Sequence, residues 1–238
     1  MVQWSHKKEE DVAETFMLVT DISPNQTFFS GPDMSRPELQ LEAPDTVLRF
    51  QGLHRIALPN IFDIEKNIVQ RDLLDVIRRR RSRNSFSSEP VPLEQFAAIC
   101  WACSGTSGAA KVSGRDVSLR TIPSAGARYP CNVHVIVRSV SELEGGVYYY
   151  NPLDHCVVRH RRGIASSAFQ DIFLGQEVAV SSSLVFVITI SLSRARHKYG
   201  ERGFRYALLE AGHIGQNISL VAEYFGLSAC GIGGYCGR

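Results

Sequence analysis

The feature of this 238-residue chain that most restricts its fold is one long helical segment in its second half. The pattern of residues 201–225 is helical throughout, and Gly226 follows at the position where a helix commonly ends in a left-handed residue. Glycine inside a helix costs about 1 kcal/mol relative to alanine, yet Gly212 and Gly215 lie in the middle of this segment. With neighbouring alanines they form a stripe of small residues. Such a stripe favours close helix–helix packing and is also compatible with the close approach of a ligand.

Several other segments have the patterns of β-strands. Residues 132–140 alternate between apolar and polar side chains, and residues 147–150 and 156–160 are typical of a hairpin around Asn151-Pro152. Residues 184–190 are apolar on both faces, which predicts a central strand covered on both sides. Shorter helical patterns occupy residues 71–79, 92–104 and 167–174. Helices on both sides of a buried sheet predict an α+β, three-layer architecture.

Composition and charge narrow the class of protein. Hydrophobic residues make up 44% of the chain, enough for a sizeable core, and the net charge of +2 argues against a nucleic-acid partner. The longest apolar run, residues 183–192, is about half as long as a membrane span, and the polar N-terminus lacks a signal-peptide pattern. We therefore expect a cytoplasmic protein that binds neither a membrane nor nucleic acid. Residues 1–70 are expected to form an irregular N-terminal arm with one or two short strands, and residues 71–238 one domain.

The six cysteines are expected to be reduced thiols, because they are scattered through apolar or turn contexts. Cys100 and Cys103 have the C-x-x-C spacing, but a structural zinc site needs a second pair at a matching spacing. Cys100 also falls on the apolar face of its helical pattern, which favours core packing. The histidines form no metal-ligand pattern either, so no metal site is expected.

Three segments carry residue types that bind phosphorylated ligands. The first, the arginine segment of residues 78–83, places five arginines in six positions and is followed by Asn84 and Phe86. Taken alone, this cluster is compatible with a solvated helix end, a nucleic-acid patch or a phosphate clamp. The near-neutral charge of the whole chain disfavours the nucleic-acid patch.

The second segment, residues 123–130, is a turn rich in small residues, which we call the 123–130 turn. Its small side chains let the backbone approach a flat ligand, Ser124 offers a hydroxyl and Arg128 offers a guanidinium. Clusters of proline, serine and glycine are also common in ordinary turns. The segment therefore becomes informative only together with the other two.

The third segment joins the long helix to a glycine-rich turn at residues 226–235. His213 and Gln216 lie about one helical turn apart, and each is either a ligand or a hydrogen-bonded structural group. The glycines of the turn would let backbone N–H groups reach the polar edge of a ring.

In their order and spacing the three segments resemble the motifs of the flavin-dependent nitroreductase superfamily, and within it the SagB-type dehydrogenases. That branch includes the azoline oxidases of peptide-modifying pathways. The first segment resembles the motif Arg-x-Ser-x-basic-x-Phe starting at Arg80, with Asn84 at the basic position, and residues 146–152 resemble a Gly-Val-Tyr-x-Tyr-x-Pro hairpin. The resemblance covers roughly residues 72–235. It implies a nitroreductase-like fold of three α/β/α layers, with a mainly antiparallel central sheet and a long central helix.

The resemblance also implies FMN as the cofactor, bound at the interface of a homodimer. Arg80 and Ser82 would hold its phosphate and ribityl chain, the 123–130 turn would lie along the flavin from across the interface, and two glycines would face the reactive edge of the ring. The cofactor-binding residues that the resemblance implies are Arg80, Ser82, Asn84, Pro123, Ser124, Ala125, Gly126, Gln216, Gly233 and Gly234. The family usually continues with a further C-terminal stretch, which a chain ending at Arg238 is expected to lack.

A Lys-Tyr pair serves catalysis in the SagB-type branch, and Lys198-Tyr199 matches it in position and context. The implied activity is oxidation of azoline rings to azoles, with a peptide substrate and partners in a modification complex. Two alternatives stay open. One is an NAD(P)H-dependent reductase of nitro groups or quinones, and the other is a non-catalytic scaffold within a modification complex.

Overall fold

The computed structural model describes residues 46–67, 70–112, 115–163 and 165–235, which are built around a five-stranded antiparallel sheet. The strands are β1 (Arg55–Ala57), β2 (Thr106–Val112), β3 (Arg115–Arg120), β4 (Cys131–Val137), β5 (Gly146–Asn151), β6 (Cys156–Arg162) and β7 (Leu184–Ile190). The main sheet has the order β1-β6-β5-β4-β7, and β2 pairs with β3 in a separate hairpin. In register, Val135 of β4 lies opposite Tyr148 of β5 and Phe186 of β7.

The helices pack around this sheet, and local signals explain where two of them begin or end. They are α1 (Ile61–Asn67), α2 (Leu73–Arg79), α3 (Leu93–Ser104), α4 (Ser166–Ile172), α5 (Glu177–Val180), α6 (Leu192–Tyr199) and α7 (Arg202–Phe225). The Asp72 carboxylate caps α2 by accepting a hydrogen bond from Leu74 N at 2.6 Å. Gly226, at φ 77°, ends α7 in the left-handed conformation that the sequence predicts.

One face of the sheet is covered by α3 and α7. Phe96 and Cys100 of α3 and Ile214 of α7 are fully buried against Val133 and Tyr148 of the sheet. Cys103 belongs to the same core, so the C-x-x-C pair packs as predicted. Burial in this apolar surrounding raises the pKa of the Cys103 thiol, which keeps it protonated.

The opposite face is covered by shorter segments. Phe169 and Phe173, on and just after α4, pack with Ala179 of α5 against Ile136. Further along the sheet, Phe50 packs against the buried Tyr149 with ring centroids 5.3 Å apart. Both faces of the sheet are therefore covered, which confirms the predicted three-layer α+β architecture with a long helix.

Two details differ from the sequence-based expectations. Strand β7 pairs only with β4 in the described residues and lies at the edge of the sheet, although its pattern predicted a central strand. Its two faces are apolar because helices lie on both sides of the sheet, and this does not require a strand on each flank. The boundary expected at residue 70 also does not separate two units, since β1 joins the sheet and Ile64 of α1 enters the core. Residues 1–45 lie outside the described part of the chain.

The second face carries a pair of histidines that links stability to pH. His134 of β4 and His160 of β6 have ring centroids 5.7 Å apart, and Tyr149 lies beside both. Burial, with a smaller effect of His160, lowers the pKa of His134 to about 4. The folded protein therefore binds this proton less readily than the unfolded chain, whose histidines titrate near 6.5.

We expect this difference to appear as lost stability when the pH falls from about 6.5 towards 4, because protonation then favours the unfolded chain. The variant His134→Phe keeps an aromatic ring at this position but cannot titrate. Melting temperatures measured at pH 7.5 and pH 5 are expected to fall more for the wild type than for His134→Phe. Equal falls in the two proteins would contradict this assignment.

Candidate active site

The 123–130 turn has an unusual backbone conformation. Gly126, Ala127 and Tyr129 all have positive φ values, of 58°, 52° and 46°. Two of these residues are not glycine, and the left-handed conformation costs such residues about 1–2 kcal/mol each. Strained backbone of this kind persists only where surrounding contacts hold it, and it is enriched at functional sites.

Contacts with buried groups hold the turn in this conformation. The hydroxyl of Ser124 accepts a hydrogen bond from Tyr129 N at 2.8 Å. The buried Arg194 of α6 donates to the carbonyl oxygen of Tyr129 at 2.6 Å, and Arg120 stacks over the Tyr129 ring at 4.2 Å. The Ser124 hydroxyl, which the sequence offered as a ligand group, thus already has a structural partner within the turn.

Lys198 and Tyr199 lie directly against this turn. Gly126 has no side chain, and a Cβ atom at its position would lie 2.6 Å from Tyr199 Oη and 3.0 Å from Lys198 Nζ. Lys198 is exposed, and its Nζ lies 5.4 Å from the centroid of the Tyr199 ring. Tyr199 in turn packs edge-on against Tyr206 of α7, at 4.9 Å between centroids. The structure therefore brings both predicted catalytic residues to Gly126, one of the predicted cofactor-binding residues.

The position of α6 depends on one glycine of α7. A Cβ atom at Gly203 would overlap the backbone carbonyl of Ala195, so only glycine permits this close packing of the two helices. By contrast, nothing described lies within 4 Å of a Cβ atom placed at Gly212 or Gly215. The close helix approach that requires a glycine thus occurs at Gly203, whereas Gly212 and Gly215 have no close neighbour among the described residues.

The arginine segment lies near the other end of α7. Arg79 and Arg83 both pair with the buried Glu223, at 3.6 Å and 2.7 Å. Ser82 forms a parallel bridge with Ala229, and Arg83 N donates to the Ala229 carbonyl at 3.1 Å. The first motif is therefore held against the glycine-rich turn by both side-chain and backbone contacts.

Four further predicted cofactor residues are exposed, whereas Arg80 and Ala125 are half-buried. Asn84 lies just beyond Ser82, and Gln216 lies in the middle of α7. Gly233 and Gly234 are exposed in the glycine-rich turn, where the Gly234 carbonyl accepts a hydrogen bond from Gln176 Nε2 at 2.5 Å. Cys236, near the end of that turn in the sequence, is outside the described residues.

A large cavity opens beside the glycine-rich turn. Its volume is about 870 Å³, within the usual range for small-molecule sites. Leu227 and Ile232 of the turn line it, together with Phe86 and the edge of β7. The first and third motifs therefore adjoin a space large enough for a ligand.

The structure thus collects the predicted residues into two groups and not one. The first group is the 123–130 turn with Lys198 and Tyr199, which is tied to α7 through a hydrogen bond from Cys131 N to Glu210. The second is the arginine segment with the glycine-rich turn, which is tied to α7 at Glu223. The two anchors are thirteen positions apart in α7, which is about 20 Å along the helix axis.

Sequence reasoning missed both of these glutamates. Glu210 and Glu223 are 2% and 3% exposed, although a buried carboxylate is rare unless it has partners. Glu210 shares one face of α7 with the buried Gly203, Ala207 and Ile214. The sequence signal that could have revealed Glu210 is a glutamate on the apolar face of an amphipathic helix.

Comparison with known proteins identifies the family. Residues 77–236 match the sequence pattern of the Nitroreductase family. The chain belongs to this family. It is 33% identical over 187 residues to MJ1384 of Methanocaldococcus jannaschii, a protein named as a nitroreductase, and this match covers 76% of the chain and 84% of the relative. It is 31% identical over 113 residues to the microcin B17-processing protein McbC of Escherichia coli, covering 45% of the chain and 42% of McbC.

Solved structures of the family share its fold. A protein from Anabaena variabilis described as a nitroreductase gives a TM-score of 0.66 at 19% identity, over 89% of this chain and 38% of that one. The McbBCD microcin synthetase complex of E. coli, with truncated pro-MccB17 bound, contains a chain that gives 0.53 at 22% identity, over 91% and 79% of the two chains. These similarities confirm the predicted nitroreductase-like fold.

Two further expectations concern membranes and metals. Within the part of the chain that the structure describes, no helix is both long and apolar enough to cross a membrane. The same residues contain no group of three or more histidine, cysteine, aspartate or glutamate side chains arranged to hold a metal ion.

Proposed function

We propose that this chain is an FMN-dependent oxidoreductase of the SagB type that oxidises azoline rings of a peptide to azoles. The observation that carries the proposal is the contact of Lys198 and Tyr199 with Gly126. It joins the expected catalytic pair to the turn that is expected to lie along the flavin. The similarity to McbC and to the chain from the McbBCD complex supports a peptide substrate and partners in a modification complex.

The residues of the first and third motifs fit FMN. The Arg80 side chain and the Ser82 hydroxyl have no protein partner among the described residues, whereas Arg79 and Arg83 are paired with Glu223. The arginine and the serine that the resemblance assigns to FMN are therefore the ones left available. Both side chains can donate hydrogen bonds to a phosphate group. Asn84 and the two glycines of the turn are exposed beside them.

The separation of the two groups supports a flavin site shared between two copies of the chain. The residues that anchor the two groups on α7, Glu210 and Glu223, are about 20 Å apart along the helix axis. One FMN molecule would therefore contact the arginine segment of one copy and the 123–130 turn of the other. Exposed apolar residues are available for such an interface, since Leu208 and Leu209 of α7 are 46% and 58% exposed and Leu74 of α2 is 74% exposed.

Converting an azoline into an azole removes a hydride and a proton from neighbouring atoms of the ring. FMN, when bound, supplies the acceptor for the hydride. In this proposal Lys198 would take the proton from the ring carbon, and Tyr199, whose Oη lies beside Gly126 as the lysine Nζ does, would orient or relay that proton. The contact of both groups with the strained turn would limit their movement when a substrate is bound.

The proposal is tested by purifying the protein, recording its visible spectrum and treating it with an azoline-containing peptide. We expect a yellow protein that binds FMN and removes two hydrogens from the peptide, as measured by mass spectrometry. Arg80→Ala is expected to weaken FMN binding about 10- to 100-fold, the effect of losing one charge-assisted hydrogen bond. Arg81→Ala, which removes a neighbouring side chain bonded to backbone carbonyls, is the matched control and is expected to bind FMN normally.

A second candidate function follows from the similarity to MJ1384, which covers more of both proteins than the similarity to McbC. In this case the chain reduces nitro groups or quinones with NAD(P)H. A yellow protein that oxidises NAD(P)H with such acceptors but leaves the azoline peptide unchanged would support this candidate. A colourless protein that does not bind added FMN would contradict both candidates and favour a scaffold.

A further inference from the structure

The buried carboxylate of Glu210 lies between α7 and the 123–130 turn. Its side chain is 2% exposed, and Oε1 accepts the hydrogen bond of Cys131 N at 3.0 Å. Cys131 immediately follows the turn, and its Sγ donates to the Ala207 carbonyl at 3.3 Å, one helical turn before Glu210. The turn is thus tied to α7 at its C-terminal side by two neighbouring contacts.

The groups around Glu210 compensate its charge only in part. Burial raises the pKa of its carboxyl group, and the Ser124 hydroxyl, the Cys131 N–H and the positive charge of Arg120 oppose that rise. Its second oxygen, Oε2, is buried and accepts no hydrogen bond from the described residues. Burying a carboxylate in such a place costs free energy of folding. An apolar side chain of similar size would therefore stabilise the fold equally well.

The same helix also carries α6. Gly203 lies two turns before Glu210 on one face of α7, and its lack of a side chain lets α6 approach at Ala195. Helix α7 therefore supports both parts of the site: α6 with Lys198 and Tyr199 through Gly203, and the 123–130 turn with Gly126 through Glu210. These two contacts on α7 add to the direct hydrogen bonds between α6 and the turn, from Arg194 to the Tyr129 carbonyl and from Ser191 N to the Pro130 carbonyl.

We propose that Glu210 is a positioning residue that fixes the 123–130 turn on α7 and so holds Gly126 against Lys198 and Tyr199. The left-handed residues of the turn store strain, which contacts from outside the turn must offset. Loss of the contact from Cys131 N to Glu210 lets the turn relax away from the lysine and the tyrosine. This inference rests on the proposed function for its effect on catalysis, but its structural part is measurable without that function.

The test compares Glu210→Gln with Glu210→Leu. Glutamine keeps an acceptor oxygen for Cys131 N, whereas leucine has a similar size and no acceptor. In Glu210→Leu, amide hydrogen exchange in residues 124–131 is expected to accelerate, and the rate at which an acylating reagent modifies Lys198 is expected to change. With saturating FMN, kcat for azoline oxidation is expected to fall about 100-fold at a nearly unchanged KM, a size typical of a misplaced catalytic group. Glu210→Gln is expected to stay close to the wild type in all three measurements.

Asn217→Ala provides the matched control, because it removes another side-chain hydrogen bond from α7, to the Ala102 carbonyl of α3 at 2.8 Å. It is expected to lower stability without changing exchange in residues 124–131 or the reactivity of Lys198.

Unchanged Lys198 reactivity in Glu210→Leu, or an equal change in Asn217→Ala, would overturn the proposal. If Lys198 reactivity changes as expected but the wild type does not oxidise azolines, the positioning role stands and the proposed function fails. If Glu210→Leu does not fold, the test depends on Glu210→Gln. Wild-type values of amide exchange, Lys198 reactivity and kcat in this variant support the proposal, and changes in all three overturn it.

Discussion

Replacing Lys198 with alanine is expected to lower kcat for azoline oxidation by about 10²- to 10⁴-fold while FMN stays bound, the usual effect of losing a general base. The lysine is exposed, and its Nζ would lie 3.0 Å from a Cβ atom on Gly126, so its removal leaves no buried cavity. Folding and flavin binding should therefore be preserved. Azole formation is measured by mass spectrometry, and bound flavin by its visible absorbance.

Lys66→Ala is the matched control for this experiment. Lys66 is another exposed lysine near the end of a helix, α1, where it pairs with Asp63 at 3.0 Å. This variant is expected to keep the wild-type kcat, since exposed pairs of this kind contribute little. Azole formation at the wild-type rate by flavin-bound Lys198→Ala would show that another group takes the proton.

The fold was predictable where one segment's pattern determines its structure. Helix α7 follows from its periodicity and from Gly226, and β4 to β6 follow from alternation and from the Asn151-Pro152 turn. The edge position of β7 was not predictable, because strand order depends on which segments meet in space and not on the apolarity of one strand. One or two short strands were expected before residue 70, but the position of β1 was not predictable, since its three residues form a strand only by pairing with β6.

The candidate site shows a similar division. The three motifs were recognisable from residue types and spacing, but the closeness of Lys198 and Tyr199 to the second motif is visible only in the structure. The buried partners Glu210 and Glu223 were not recognised, because a glutamate on a helix is usually solvated and only the packing of α7 buries these two. The separation of the motifs into two groups was also hidden, since the sequence does not show that the second motif packs near Glu210 and the other two pack near Glu223.

Gly126→Ala tests whether the closeness of the 123–130 turn to Lys198 and Tyr199 matters for catalysis. The new methyl group would lie 2.6 Å from Tyr199 Oη and 3.0 Å from Lys198 Nζ, so both side chains must move. Both are flexible at their ends, so this movement costs little stability, and the φ of 58° accounts for most of a loss of about 1–2 kcal/mol. We expect kcat to fall about 10- to 100-fold, because small displacements of catalytic groups have effects of this size.

Gly52→Ala separates the backbone effect from the contact. Gly52 has a similar φ of 72°, but nothing described lies within 4 Å of a Cβ atom at its position. Both variants should therefore lose a similar free energy of unfolding, measured by denaturant titration, whereas only Gly126→Ala should lose kcat. Equal kcat values for the two variants would mean that the contact seen at Gly126 does not position the catalytic pair. If only Gly126→Ala loses kcat, the absence of a side chain at Gly126 is what allows Lys198 and Tyr199 to take their positions. Backbone strain cannot explain such a difference, because it is similar at the two sites.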